Sequence, residues 1–175
     1  MSLAEAKFSP IDILINNAAN DKRHSLDSLS PEDWDDAFNV NLKPHFFSAQ
    51  YATLHMIANK QGCIINMGSN SALLGLTGYP AYVSAKAGII GLTKALAREL
   101  GPHNIRVNAL IPGWVLTERQ REEHLTPEAL AECLAQQSLK STIEEADISN
   151  AALFLASQAS AMMTGQAMVI DGGRA

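Results

Sequence analysis

Short apolar runs that end in amides or small residues alternate with helix-forming stretches along the chain, and no other feature narrows the fold as much. The runs lie near residues 11–16, 63–67, 106–111 and 167–170. They are rich in Ile, Val, Leu and Ala with little polar alternation, as strands buried on both faces are. Helices are predicted near residues 31–39, 42–59, 80–100, 127–136 and 144–156. Ser30-Pro31-Glu32-Asp33 is a capping-box-like start for the first. Pro80 opens the third, and Ala81, Ala85, Ala87, Leu92 and Ala95 continue it. Glu144 and Glu145, with Thr142, open the last. Strands alternating with helices predict a doubly wound parallel α/β sheet. Residues 113–126 are the least regular stretch, and a connection of that length reads as a lid.

Composition bounds the function. The 175 residues are 47 % hydrophobic and 18 % charged, which is ordinary for one domain with a buried core. A formal net charge of −5 argues against a nucleic-acid surface. No long apolar span or signal peptide is evident, so a cytoplasmic protein is expected, with no membrane partner. Cys63 reads as a core thiol and Cys133 as a helix position, with neither disulfide nor metal spacing. The five histidines form no ligand-like cluster, and no metal site is expected.

One constellation carries chemistry. Ser69 follows the second apolar run, Tyr82 lies near the start of the third helix, and Lys86 stands four residues after Tyr82. That spacing puts Tyr82 and Lys86 on one helix face. A phenol gives up its proton near pH ~10, and a neighbouring ammonium favours the phenolate. Ser69, at the C-terminal end of a strand, sits where open parallel sheets bind ligands. Its hydroxyl can hold a substrate oxygen while Tyr82 trades the proton. The three are candidates for acid–base catalysis at a carbinol or carbonyl carbon.

Further motifs accompany them in order. They are Asp12-Ile-Leu-Ile-Asn-Asn-Ala-Ala19, Val40-Asn41-Leu42, Asn108-Ala-Leu-Ile-Pro112-Gly113 with Thr117 beyond, Thr164-Gly165, and Val169-Ile-Asp-Gly-Gly173. With these the chain resembles the short-chain dehydrogenase/reductase family over nearly all its length. The resemblance implies NAD or NADP as cofactor. It implies that Tyr82 is the general acid/base, that Lys86 lowers its pKa and holds the nicotinamide ribose, and that Ser69 orients the substrate. It implies that Asn41 sits at a helix kink and holds a water, and Pro44 supplies a reason for the kink. Asn16 and Ala18 are implied to lie under the adenosine ribose. Pro112, Gly113, Val115 and Thr117 are implied to contact the nicotinamide and its carboxamide. Two positions depart from the family pattern. Ala19 stands where Gly is usual, and residues 139–143 lack the usual Arg and Pro-Glu.

Within the family, Ala18-Ala-Asn-Asp-Lys-Arg-His24, residues 112–120, Leu125-Thr-Pro-Glu-Ala129 and Gln137-Ser-Leu-Lys140 resemble bacterial sugar 1-dehydrogenases, nearest the D-xylose type. An aldose is then the expected small-molecule substrate. Asn20, Asn70 and Gln120 are candidates for its hydroxyls. Trp114 either lies against the sugar ring or packs on the lid's own core. Arg23 and His24 are expected to be solvated loop residues. A 3-ketoacyl-acyl-carrier-protein reductase shares the same triad and is the alternative. An inactive oligomerising scaffold is a third reading, resting on residues 42–59 and 80–100, the helices of the family's usual dimer surface.

The family's Gly-rich pyrophosphate turn does not occur before residue 12, since all eleven glycines stand at or after Gly62. The expectation is a single domain truncated to strands 4–7 of the family order. About 75–90 residues at ~30 per βα unit would be missing. NAD and NADP are not distinguished, because the deciding residue belongs to that segment. Residues 11–16 then form a bare apolar edge. That edge is expected to be covered by another chain, to curl away or to lose order.

Overall fold

The computed structural model describes residue 7 and residues 10–175. Four strands, β1 (Ile13–Asn16), β2 (Gly62–Met67), β3 (Ile105–Pro112) and β4 (Ala167–Ile170), form one parallel sheet in the order β1-β2-β3-β4. Ile13 pairs with Cys63, Gly62 with Ile105, and Ala109 with Ala167. The helices among the described residues are α1 (Pro31–Asn41), α2 (Lys43–Asn59), α3 (Ser71–Leu74), α4 (Pro80–Leu100), α5 (Glu118–Glu123), α6 (Pro127–Gln136) and α7 (Glu145–Ala156).

Successive strand residues point to opposite faces, and the helices divide accordingly. On one face, Ala52 and Met56 of α2 and Leu96 and Leu100 of α4 pack with Ile64 and Val107. On the other, Leu155, Ile148 and Ala152 of α7 pack with Cys63, Ile65 and Leu110. Ile64, Ile65 and Val107 are wholly buried, and each such side chain contributes roughly 1.5–3 kcal/mol. The sheet is thus covered on both faces, as the apolar runs require. Among the described residues no helix is long and apolar enough to cross a membrane.

The helix starts follow local chemistry. Ser30 Oγ accepts from Asp33 N and donates to its carboxylate, so Ser30 caps α1 as expected. Glu144 and Asp147 form a reciprocal box on α7. Thr126 caps α6 through Ala129 N. The structure differs from the sequence reading in several places. The first strand starts at Ile13, not residue 11. α1 runs on to Asn41, where Leu42 breaks the helix and Pro44 falls in the first turn of α2. The lid is not wholly irregular: Thr117 Oγ1 accepts from Gln120 N and starts α5.

Of the three outcomes expected for the β1 edge, curling away and loss of order do not occur. β1 neither curls nor loses its pairing, and stays in register with β2 over all four residues. Ile13 and Ile15 remain about half exposed, at 48 % and 47 %. Two anchors hold the strand flat. Leu14 packs against the α2–α4 core, and the Asn16 amide donates to Asn66 Oδ1 at 2.9 Å.

Candidate active site

Ser69 leaves the C-terminal end of β2 in a turn fixed to β3. Gly68 N donates to Leu110 O at 2.8 Å, and Asn70 N donates to Pro112 O at 2.9 Å. Tyr82 and Lys86 lie in the first two turns of α4. The structure brings the three together. Tyr82 shares a side-chain hydrogen bond with Ser69. Lys86 Nζ stands 5.6 Å from the centre of the Tyr82 ring.

Ser69 has a supporting hydroxyl that sequence reasoning passed over as a mere neighbour. Ser71, 2 % exposed, donates to Ser69 Oγ from its own Oγ at 2.8 Å and from its backbone N at 3.2 Å. Two donors on one oxygen direct the Ser69 proton outward. The signal was a hydroxyl two residues on, the spacing of a local side-chain turn.

Lys86 is buried at the base of the site and donates to Met67 O at 2.8 Å. Burial pushes its pKa down to about 8. Burial also pushes the Tyr82 phenol up to about 12. The Ser69 hydrogen bond and the Arg23 charge pull it down, while Asp21 and Tyr79 add to the rise. Lys86, expected to lower the Tyr82 pKa, is not among the groups that shift it here. Desolvation disfavours phenolate and ammonium alike, and it is the largest influence on both groups here.

Asn41, at the end of α1, is wholly buried. Its Oδ1 accepts from Asn20 N at 2.8 Å, and its Nδ2 donates to Asn20 O and Ala37 O, both at 2.9 Å. The expected helix break is present. Both amide hydrogens are engaged by main chain, so the side chain acts as a strut under residue 20. A water held here as expected would fall to the backbone carbonyl.

Asn16 is likewise spent on structure. Its amide donates to Asn66 Oδ1 and His45 O, its Oδ1 accepts from Ser48 Oγ, and Asn66 donates on to Thr93 Oγ1. Only its main chain is left to meet a ribose. Ala18 and Asn20 are exposed on the following loop. Asn20 and Tyr82 line one cavity of about 540 Å³, together with Lys22, Arg23, Asp33 and Asp36.

The remaining candidates divide. Asn70 is corrected as a substrate ligand: it is 4 % exposed and its amide points to Asp171 Oδ2 at 3.3 Å. Asp171 also accepts from the backbone N of Gly173, Arg174 and Ala175. Its burial opposes ionisation, but these bonds hold its carboxyl below the ordinary range. Trp114 Nε1 donates to Gln120 Oε1 at 2.7 Å, so the two lid candidates occupy each other. Pro112 and Gly113 end β3, with Gly113 N bonded to Ile170 O. A Cβ on Gly113 would meet Asp171 at 2.8 Å, which explains the glycine. Val115 bridges to Ile143, and Thr117 caps α5.

His45 has no counterpart in the sequence reading. It is 1 % exposed, and neither ring nitrogen has a hydrogen-bond partner. Burial pushes its pKa from 6.5 down to about 4, and the Lys86 charge presses the same way. Between these two values the unfolded chain binds more protons, so His45 stability is present above pH 6.5 and lost as pH falls toward about 4. The loss amounts to about 3 kcal/mol. His45→Leu is expected to flatten this part of a plot of urea midpoint against pH. An unchanged acid limb would refute the assignment.

The geometry also fits a nicotinamide cofactor. An ammonium has three donors, and Lys86 uses one on Met67 O. The other two and the Tyr82 phenol are available for sugar hydroxyls at the C-terminal edge of the sheet, the place where such sheets bind nucleotides.

The sequence pattern described as enoyl-(acyl carrier protein) reductase matches residues 1–175. The chain belongs to the short-chain dehydrogenase/reductase family. The chain is 49 % identical over 170 residues to the probable galactose dehydrogenase GalD of Rhizobium meliloti (strain 1021), covering 97 % of the chain and 66 % of that protein. It is 44 % identical over 168 residues to the D-xylose 1-dehydrogenase of Caulobacter vibrioides (strain NA1000 / CB15N), covering 96 % and 67 %. It superposes with a TM-score of 0.92 on a gluconate 5-dehydrogenase from Burkholderia cenocepacia J2315 in complex with NADP and tartrate, at 33 % identity, covering 99 % of this chain and 68 % of that one. The chain thus spans about two thirds of the length of the relatives it matches. Family members are NAD(P)-dependent oxidoreductases.

Proposed function

We propose that this chain carries the proton-transfer part of an NAD(P)-dependent aldose 1-dehydrogenase. The observation that carries the reading is the cavity in front of Tyr82. Asn20, Lys22, Arg23, Asp33 and Asp36 line it, a set of donors and acceptors suited to several sugar hydroxyls. The similarity to galactose and D-xylose dehydrogenases supports the same class.

The residues divide the work as follows. Ser69, its lone pairs taken up by Ser71, donates its hydroxyl proton to the substrate oxygen. Tyr82 removes the carbinol proton. Lys86 holds ribose hydroxyls and supplies positive charge beside the phenolate. Pro112, Gly113, Val115 and Thr117 form the wall for the nicotinamide. A bound nicotinamide would supply the hydride acceptor for oxidation of the anomeric carbon to a lactone. The specificity groups lie on the loop after β1 and on α1. Asn70, Trp114 and Gln120, which the sequence put forward, are engaged with protein partners.

An association through α2 and α4 is part of the same proposal, since Phe46, Phe47 and Leu54 of α2 are exposed. The test of function is a panel of aldoses with NAD and with NADP, followed by nicotinamide absorbance, beside acetoacetyl thioesters with NADPH. Lactone formation from an aldose supports the reading. Turnover of the thioester alone would assign the site to ketoacyl reduction instead.

A further inference from the structure

Five consecutive residues after β1 are each fastened to a different neighbour. Asn20 is held by Asn41. Asp21 pairs with Arg119 of the lid helix at 3.0 Å. Lys22 meets Asp33 of α1 at 3.7 Å. Arg23 and His24 both bind the segment that opens α4.

That opening lacks a cap of its own. The N-cap residue Tyr79 makes no side-chain cap bond, and Pro80 has no N–H. Ala81 N–H is therefore the first orphan donor of α4. His24 Nε2 accepts it at 3.4 Å, from 57 residues away in sequence. The other ring nitrogen, Nδ1, lies 3.2 Å from Ser25 O. A carbonyl only accepts, so Nδ1 carries the proton and Nε2 is bare; one neutral tautomer satisfies both contacts. His24 N also donates to Gly78 O at 2.9 Å. Beside it the Arg23 guanidinium lies 3.7 Å over the centre of the buried Tyr79 ring. That ring is 5.3 Å from the ring of Tyr82. Gly78, Tyr79 and Ala81 are thus all gripped just before Tyr82.

We propose that His24 is a positioning residue for Tyr82: its imidazole, supplied by the loop after β1, caps α4 and so fixes the phenol against Ser69. The proposal rests on the acid–base reading of Tyr82, but its test does not require turnover. Amide hydrogen exchange at Ala81 and the titration of the Tyr82 phenol are followed by NMR in the wild type, in His24→Phe and in His24→Gln. His24→Phe keeps an aromatic ring without an acceptor. It is expected to speed exchange at Ala81 about fivefold, the usual consequence of losing a cap acceptor. It is also expected to move the Tyr82 midpoint from about 12 toward 10.0 as the first turn opens to water. His24→Gln restores an acceptor and is expected to reverse both changes. Amides in the middle of α4 serve as the internal reference and stay unchanged. Exchange at Ala81 that does not respond to His24→Phe overturns the proposal, as does a Gln variant that behaves like Phe. Failure of the acid–base reading would show separately, as turnover that survives loss of the Tyr82 hydroxyl.

Discussion

Tyr82→Phe is expected to lower aldose turnover by about 10²–10⁴, the usual contribution of a matched acid or base, and to leave the fold in place. The phenol oxygen is the only atom removed. The ring's contact with Tyr79 at 5.3 Å does not depend on it. The lost hydrogen bond to Ser69 is worth about 0.5–1.5 kcal/mol, too little to unfold a domain. The measurements are kcat/KM with the preferred sugar and the urea midpoint of the same preparation. The ratio matters more than either value: activity should fall by orders of magnitude while the midpoint barely moves. Near-normal turnover in the variant would remove Tyr82 from the chemistry.

Lys86→Met is expected to abolish turnover and raise stability, an opposition that distinguishes a functional charge from a structural one. Lowering a lysine from 10.5 to about 8 corresponds to about 3 kcal/mol of penalty on the buried ammonium. Removing Lys86 also leaves Met67 O without its donor, which costs about 1–3 kcal/mol if water does not replace it. Met fills similar volume, so the difference, a net gain of about 0–2 kcal/mol at neutral pH, is expected. The pH dependence gives an independent check. The folded Lys86 pKa lies below its unfolded value, so the unfolded chain binds more protons between about 8 and 10.5. Wild-type stability therefore rises with pH in that window. Tyr82 acts oppositely above 10.0, because its folded value near 12 makes the folded chain bind more protons there. In Lys86→Met the rise disappears and the Tyr82 decline remains. A variant less stable than wild type at neutral pH, with the rise intact, would show that burial does not strain this lysine.

The sequence was legible where one residue type answers one local demand. Pro80–Leu100, Pro127–Gln136 and Ala167–Ile170 have the bounds their prolines and apolar runs indicate. Ser69, Tyr82 and Lys86 meet as their spacing requires. α3 and α5 were not legible, because four and six residues are too short for a helical period to register. Partnerships between distant residues were also hidden. Nothing local to Asn70 tells that its amide faces Asp171, or that Trp114 and Gln120 satisfy one another. Arg23 and His24 read as solvated loop residues, yet the fold sets one on Tyr79 and the other on Ala81.

The amino-acid sequence by itself determined the layer architecture, the strand and helix types, and which residues are the candidate proton-transfer groups. Periodicity and i,i+4 spacing are properties of a few neighbouring residues, and no long-range contact is needed to express them. Tertiary structure alone decided the electrostatics of those groups. How far Tyr82 is raised and Lys86 lowered depends on how much water the packed sheet and helices exclude, a quantity set by every surrounding residue at once. It also decided which polar side chains remain available to a ligand, because a hydrogen bond already made inside the protein removes a donor or acceptor that the sequence can only count.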